Sequence, residues 1–226
     1  AGGRWSLLPL AEGDTTVRAK AMAELLLERH GVVTRGAVVS EGIRGGFALA
    51  YKVLSGFEES GRARRGYFVE GLGAAQFATG ATIDRLRNFV VDSGRDAPLD
   101  AVTLAATDPA NPYGAALAWP GGSSVSTSST TGTRHRPGRK AGAMVVLVDG
   151  ALALYVERGG KTVLTFTDAT DALAAASRSL TATVRRATGK LRVERVNGEF
   201  AIGTPLGLAL VEAGFVPTPQ GLRLRA

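Results

Sequence analysis

Apolar residues recur every three or four positions in the first part of the chain, a spacing typical of helices with one buried face. Asp14 or Thr15 is suited to cap the first helix, and Gly31 is suited to end it. Three helices are predicted, over residues 14–29, 34–42 and 45–60. Two short extended segments follow, at 62–71 and 74–78. Three helices and a small hairpin are the arrangement of a winged helix, so that fold is expected here.

The same spacing predicts which side chains of these helices are buried. On the first helix it selects Val17, Ala21, Leu25 and Leu26. On the third helix it selects Phe47, Ala50, Tyr51, Leu54 and Phe57.

Beyond the winged helix the pattern changes to short apolar runs between turn residues, which favours strands. A short helix at 81–91 and a linker at 93–98 are predicted to separate two domains, which span residues 1–93 and 98–226. In the second domain, Asp149-Gly150 between two apolar runs predicts a β-hairpin. Its helices are predicted at residues 168–188 and 204–214.

The predicted fold class is therefore α+β. A winged helix is followed by a small antiparallel, β-barrel-like domain with flanking helices. The stretch near 121–140 is rich in Ser, Thr and Gly and then becomes basic, so a flexible basic loop is expected there.

Composition narrows the class of protein. With 226 residues and 45% hydrophobic content, the chain is long enough for two modest domains. It has no cysteine and two histidines, so neither a disulfide framework nor a metal site is expected. No apolar run approaches the roughly 18 residues of a membrane span, and no signal peptide opens the chain, so a cytoplasmic location away from membranes is expected. The net charge of +7 favours a polyanionic partner.

The predicted hairpin opens with three arginines in four positions, Arg62, Arg64 and Arg65. Guanidinium groups match phosphate oxygens, and each neutralised phosphate releases counterions, so these residues are predicted to contact nucleic acid. A solvated turn, or a wing packed against a neighbouring module, is the alternative. Arg35 and Arg44 flank the second and third helices and are further predicted contacts, with ordinary surface charge as the alternative.

A second basic run lies in the expected loop. The sequence has no carboxylate between Asp108 and Asp149, which lie on either side of that loop. A flexible basic loop can track a single-stranded backbone, whereas a disordered insert would merely vary in length. The candidate DNA contacts in this run are Arg134, Arg136, Arg139 and Lys140.

Several longer motifs point to a family. LLERHGVVTRGAV, GGFALAYKVL, FEESGRARRGYFVEGLGAAQFA, DPANPYG and GFVPTPQGLRLR together resemble the C-terminal region of bacterial large helicase-related (Lhr) proteins. The resemblance covers nearly the whole chain. It implies a superfamily 2, ATP-dependent 3′–5′ DNA helicase tied to DNA repair. For this segment it implies the end of a long extension of winged-helix modules and a β-barrel, similar to bacterial DNA glycosylases and a candidate oligomerisation region.

Two further candidates rest on that resemblance. The similar glycosylases use a glutamine-containing motif, and Gln76 would read an adenine edge or fill a base-pair space; a strand-edge hydrogen bond is the alternative. Asp108, in DPANPYG, would act as a general base or electrostatic stabiliser of base excision, with Tyr113 stacking on the extruded base. Asp before Pro is also an ordinary turn opener, and the catalytic residues stay unknown.

The chain also departs from the family pattern, since it contains no G-x-x-x-x-G-K-[ST] phosphate loop. No cofactor is therefore expected in this segment, and ATP and magnesium are expected only for a motor elsewhere. Three hypotheses follow. The chain is an accessory region that grips DNA, single-stranded or as a tailed duplex, for the rest of a helicase chain. Alternatively it is part of a uracil-type DNA glycosylase, or a structural domain that joins copies of the chain.

Overall fold

The computed structural model of the protein describes residues 6–73, 75–89, 98–121, 135–187 and 189–225. Two compact units are present, and their bounds are Ala1–Ser93 with Ala115–Leu117 for unit 1, and Gly94–Gly114 with Ala118–Ala226 for unit 2. The linker predicted at 93–98 and most of the loop predicted near 121–140 lie outside the described residues.

Unit 1 places three helices before a small wing, in the predicted order. Its elements are α1 (Thr15–His30), β1 (Val32–Val33), α2 (Arg35–Ser40), α3 (Gly46–Glu59), β2 (Arg64–Gly66), β3 (Gln76–Ala78) and α4 (Gly80–Arg87). α1, α2 and α4 begin where a short polar side chain accepts hydrogen bonds from the first turn, at Asp14, Thr34 and Thr79, whereas α3 begins after Gly45 without a side-chain cap. The strands pair antiparallel in the order β1-β3-β2.

The core of unit 1 confirms the stripe predicted on α3, but of the face predicted on α1 it contains only Leu26. Buried on α3 are Ala50, Leu54 and Phe57, with Phe47 and Tyr51 packed against them. Buried on α1 are Ala23, Leu26 and Leu27. Val17 and Leu25 are instead 50% and 42% exposed. The run of three leucines at 25–27 fits two helical phases about equally, and packing against α3 selects the second.

Unit 2 is a mixed sheet with helices on one face and a second, smaller sheet. Its strands are β4 (Ala101–Ala105), β5 (Met144–Val148), β6 (Ala151–Val156), β7 (Thr162–Thr165), β8 (Lys190–Val193), β9 (Arg195–Val196), β10 (Glu199–Phe200), β11 (Val216–Thr218) and β12 (Gly221–Arg225). Its helices are α5 (Thr170–Ala187) and α6 (Pro205–Glu212). Asp149 and Gly150, both with positive φ, form the predicted turn between β5 and β6.

The barrel-like closure predicted for unit 2 is not confirmed. Among the described residues the large sheet is open, in the order β10-β9-β7-β6-β5-β4, and β11-β12-β8 form a separate sheet. The prediction of an entirely antiparallel sheet is also wrong, because β7 and β9 pair in parallel. The chain passes through α5 between those strands, and a helical crossover returns it in its original direction.

Both faces of the large sheet are covered, which explains its continuous apolar runs. On one face Val146 and Val163 pack with Leu180 of α5 and Leu210 of α6. On the other face Val145 and its neighbours pack with aromatic side chains of the segment before the loop, Tyr113 and Trp119.

Candidate nucleic-acid interface

The first part of α3 carries positive charge without a nearby acid in the sequence. Gly45 precedes the helix with a left-handed φ of 89°, where a Cβ would lie 2.8 Å from a leucine side chain of α3. Arg44 comes directly before that turn, Lys52 lies further along the helix, and both are exposed. Between Glu41 and Glu58 the sequence has no carboxylate. Among the residues that the structure describes, neither the Arg44 nor the Lys52 side chain is paired with a carboxylate.

The wing that follows α3 is organised by one buried amide, that of Gln76. Its side chain is 0% exposed. Oε1 accepts hydrogen bonds from the backbone N–H groups of Phe68 and Val69 at 3.0 and 2.8 Å. Nε2 donates to the carbonyls of Val69 and Gly73 at 2.8 and 2.7 Å. Because these four bonds occupy the amide, the geometry favours the alternative role, in which Gln76 holds the wing loop by hydrogen bonds, and base reading stays a prediction.

Arg62 has a local carboxylate partner, and its contact with nucleic acid stays a prediction. Its Nη2 lies 2.5 Å from Oε1 of Glu24 on α1. Its guanidinium carbon lies 4.2 Å from the centre of the Phe57 ring. The hydrogen bond from Arg62 lowers the pKa of the Glu24 carboxyl below its usual value. Arg62 thus ties α1 to the end of α3.

Arg65 is also held locally. Its Nη1 donates to the hydroxyl of Tyr51 at 2.6 Å, and its Nε lies 3.5 Å from Oε2 of Glu58. Tyr51 in turn packs edge-to-face on Phe77 of β3, with ring centres 5.5 Å apart. The Arg65 guanidinium therefore joins the wing to α3, and its charge is balanced by Glu58.

Arg64, between those two residues, is the free member of the run. It lies exposed on edge strand β2 and has no hydrogen-bond or ion-pair partner among the residues that the structure describes. Arg35 is also exposed, with its guanidinium carbon 5.2 Å from the centre of the Phe47 ring. An aromatic contact leaves the charge of Arg35 uncompensated, so both arginines keep the capacity to bind a phosphate.

In unit 2, Arg139 serves the loop that contains DPANPYG rather than an open surface. Its guanidinium donates to backbone carbonyls at distances of 2.7 to 3.3 Å. These acceptors are the carbonyls of Thr107, Asp108, Asn111 and Tyr113. Because Nη1 and Nη2 are bonded within unit 2, the geometry favours a structural role for Arg139, and its contact with DNA stays a prediction.

Asp108 and Tyr113 of that loop have structural roles as well. Oδ1 of Asp108 accepts a hydrogen bond from the N–H of Ala110 at 2.8 Å, which is the geometry of an Asx turn. The hydroxyl of Tyr113 accepts from the N–H of Leu152 and donates to the carbonyl of Gly150. Tyr113 is thereby anchored to the sheet, so the structure favours the turn over base stacking for this segment.

Of the remaining candidate DNA contacts in the basic run, some are described by the structure and one is not. Arg136 and Lys140 are exposed, while Arg134 lies outside the described residues. Next to them, Nδ1 of His135 lies 2.9 Å from Oε2 of Glu157. Over the described ranges, no cluster of three or more acidic, histidine or cysteine side chains is arranged to hold a metal ion. None of the helices described has the length and apolar character needed to cross a bilayer.

Comparison with known proteins adds a family to this geometry. Residues 12–98 match the family model described as the winged-helix domain of the large helicase-related protein. The chain is 53% identical over 232 residues to the "Lhr helicase/ probable uracil glycosylase" of Mycolicibacterium smegmatis, covering 99% of this chain and 15% of that protein. It is 40% identical over 222 residues to the "Lhr helicase/uracil glycosylase" of Escherichia coli, covering 97% of this chain and 14% of that protein. The chain thus spans about a seventh of the length of these curated relatives.

Proposed function

We propose that this chain, which belongs to the large helicase-related (Lhr) family, is a non-motor region of a helicase. Its winged helix holds the DNA on which the helicase acts. ATP hydrolysis with magnesium would be carried out by a motor elsewhere in the parent protein, because this sequence has no phosphate-loop motif. The partner is DNA in single-stranded or tailed-duplex form, together with the rest of the helicase chain. We propose that this DNA-holding function serves DNA repair.

The observation that carries this proposal is the unequal pairing of the arginines in unit 1. Arg62 and Arg65 are balanced by carboxylates, whereas Arg44 and Arg64 are exposed without a partner among the described residues. In winged helices the third helix enters a groove and the wing contacts the backbone. The unpaired cations lie on the wing and directly before the third helix, so they can release counterions from phosphates without first breaking an ion pair.

The double variant Arg44→Ala/Arg64→Ala tests this proposal. We expect its dissociation constant for a fluorescein-labelled tailed duplex to rise roughly tenfold, because two phosphate contacts are lost. We also expect the slope of log K against log salt concentration to become shallower by about 2. Both quantities are measured by fluorescence anisotropy over a salt series.

Arg62→Ala/Arg65→Ala is the matched control, since it also removes two positive charges, but from arginines that are paired with carboxylates. Its affinity is expected to change by less than about twofold, because an exposed, paired arginine contributes little net charge to a ligand. Equal losses in the two variants would contradict the proposed interface.

A second candidate function is favoured by the printed names of both relatives, which include uracil glycosylase. Under this reading the chain supplies part of an excision module, with Asp108 as the candidate carboxylate. Asp108→Asn separates the two roles, because asparagine keeps the Oδ1 acceptor of the turn but removes the charge. We expect abasic-site formation on a uracil-containing oligonucleotide to be unchanged by this variant. Its abolition in a folded variant would instead assign Asp108 to the chemistry.

A role in joining copies of the chain stays a prediction.

A further inference from the structure

The small sheet of unit 2 separates apolar and basic side chains onto opposite faces. On β12, Leu222 and Leu224 are 0% exposed and pack into the core, while Arg223 and Arg225 are exposed. On β8, Val193 is buried in the same core. Because side chains alternate along a strand, the outward positions of both strands are the basic ones.

The register places these cations directly opposite one another. Arg223 pairs with Arg192, and Arg225 pairs with Lys190. We call these four residues the basic sheet face. Like charges at opposed positions destabilise a sheet, since their Cβ atoms lie about 5 Å apart. Two such pairs in succession concentrate positive charge on this face, which suits an anionic ligand.

Local compensation of this face is partial. Arg192 lies 2.7 Å from Oε1 of Glu194 and donates to Oε1 of Gln220 at 2.7 Å. The side chains of Arg223 and Arg225 have no hydrogen-bond or ion-pair partner within the described part of the chain. Positive charge therefore accumulates on β12.

A cleft of about 540 Å³ adjoins these strands. It is lined by Gly159, Lys190, Leu191, Arg192, Thr218, Pro219, Gln220 and Arg223. Three of these residues are cations, none is a carboxylate and none is aromatic. The cleft can therefore attract an anion but offers no ring on which a base would stack.

We propose that the basic sheet face binds the phosphodiester backbone of a DNA strand, as a second contact separate from the winged helix. Arg225 lies outside the cleft lining, so the charge continues beyond the space that a compact anion would fill. Along β12 the two arginines are about 6.8 Å apart, twice the rise of a strand, which suits successive phosphates of an extended backbone. Guanidinium groups bind phosphate through paired donors, and the absence of rings from the cleft makes the binding independent of base sequence.

The test compares Arg223→Ala/Arg225→Ala with Arg178→Ala/Arg186→Ala, which removes the same charge from exposed positions on α5. The probe is fluorescein-labelled oligothymidylate, titrated by anisotropy over a salt series with the 226-residue chain. For the β12 variant we expect the salt slope to become shallower by about 1.4, because each phosphate contact on a single strand contributes about 0.7. For the α5 variant we expect no change in slope, and equal slopes in the two variants would overturn the proposal.

Two further arms complete the test. Arg223→Lys/Arg225→Lys keeps both charges and is expected to retain most of the slope, and a melting curve verifies that each variant is folded. Repeating the β12 comparison in the Arg44→Ala/Arg64→Ala background separates the two interfaces, because a loss there cannot come from the winged helix.

Oligouridylate serves as the ribonucleotide probe. If it bound more than about tenfold more tightly than oligothymidylate, the assignment of this face to DNA would be overturned.

Discussion

Replacing Gln76 with alanine is expected to lower the free energy of unfolding of unit 1 by about 3 kcal/mol. The amide makes four hydrogen bonds to the backbone of the wing loop and is fully buried. Its removal leaves two N–H groups and two carbonyls without their partner, and each unsatisfied buried group costs about 1–3 kcal/mol before water re-enters. Denaturant titration followed by circular dichroism measures the loss.

Gln76→Glu is the informative companion variant. A carboxylate keeps acceptors for the N–H groups of Phe68 and Val69 but cannot donate to the carbonyls of Val69 and Gly73. It also buries a charge, so we expect destabilisation at least as large as that of alanine. If Gln76→Ala retained full stability and lost DNA affinity, the base-reading role would be supported and the structural role rejected.

Arg139→Ala is expected to have a comparable effect in unit 2, also about 3 kcal/mol. The guanidinium binds four carbonyls of residues 107–113, and hydrogen bonds to a charged group contribute about 1.5–3 kcal/mol each when considered singly. Part of that loss is recovered as water solvates the freed carbonyls. Thermal melting of the variant measures the remainder.

Lys140→Ala is the control, because its side chain is exposed and adjacent in sequence. We expect a change within about 0.5 kcal/mol for this surface position. Arg139→Lys is expected to recover only a small part of the loss, since a single ammonium cannot span carbonyls on both sides of the loop. A stable Arg139→Ala variant with weakened DNA binding would show that the guanidinium serves the ligand instead.

The helices of unit 1 could be predicted from the sequence because their signals are local. Asp14 and Thr34 accept from N–H groups two or three residues away, and Gly31 ends α1 at a φ of 67°. Such caps depend on neighbouring residues only, so a single sequence contains the necessary information. The buried stripe of α3 was similarly unambiguous because its apolar positions fit one phase.

The topology of unit 2 depended on long-range pairing that periodicity does not encode. Apolar runs predicted the strands, but the parallel pairing of β7 with β9 follows from the path through α5. Whether the ends of the large sheet meet is set by packing on both faces, which involves residues far apart in the chain. A run of apolar residues is compatible with a barrel strand or an open sheet strand.

The candidate interface was only partly predictable for a related reason. Residue type identified cations and a glutamine suited to nucleic acid, but it could not reveal which of them already had partners. Glu24 lies 38 positions before Arg62, and Asn111 lies 28 positions before Arg139. Only the fold brings these groups together, and among the described residues it leaves other cations, including Arg44 and Arg64, without a carboxylate partner.

The most direct test of that distinction is the arginine side-chain Nε–Hε spectrum of the isotopically labelled chain as a tailed DNA duplex is added. We predict that the resonances of Arg44 and Arg64 shift with increasing DNA, while those of Arg62 and Arg139 stay in place. Shifts at Arg62 and Arg139 without shifts at Arg44 and Arg64 would contradict the assignment of DNA binding to the cations that lack a local partner.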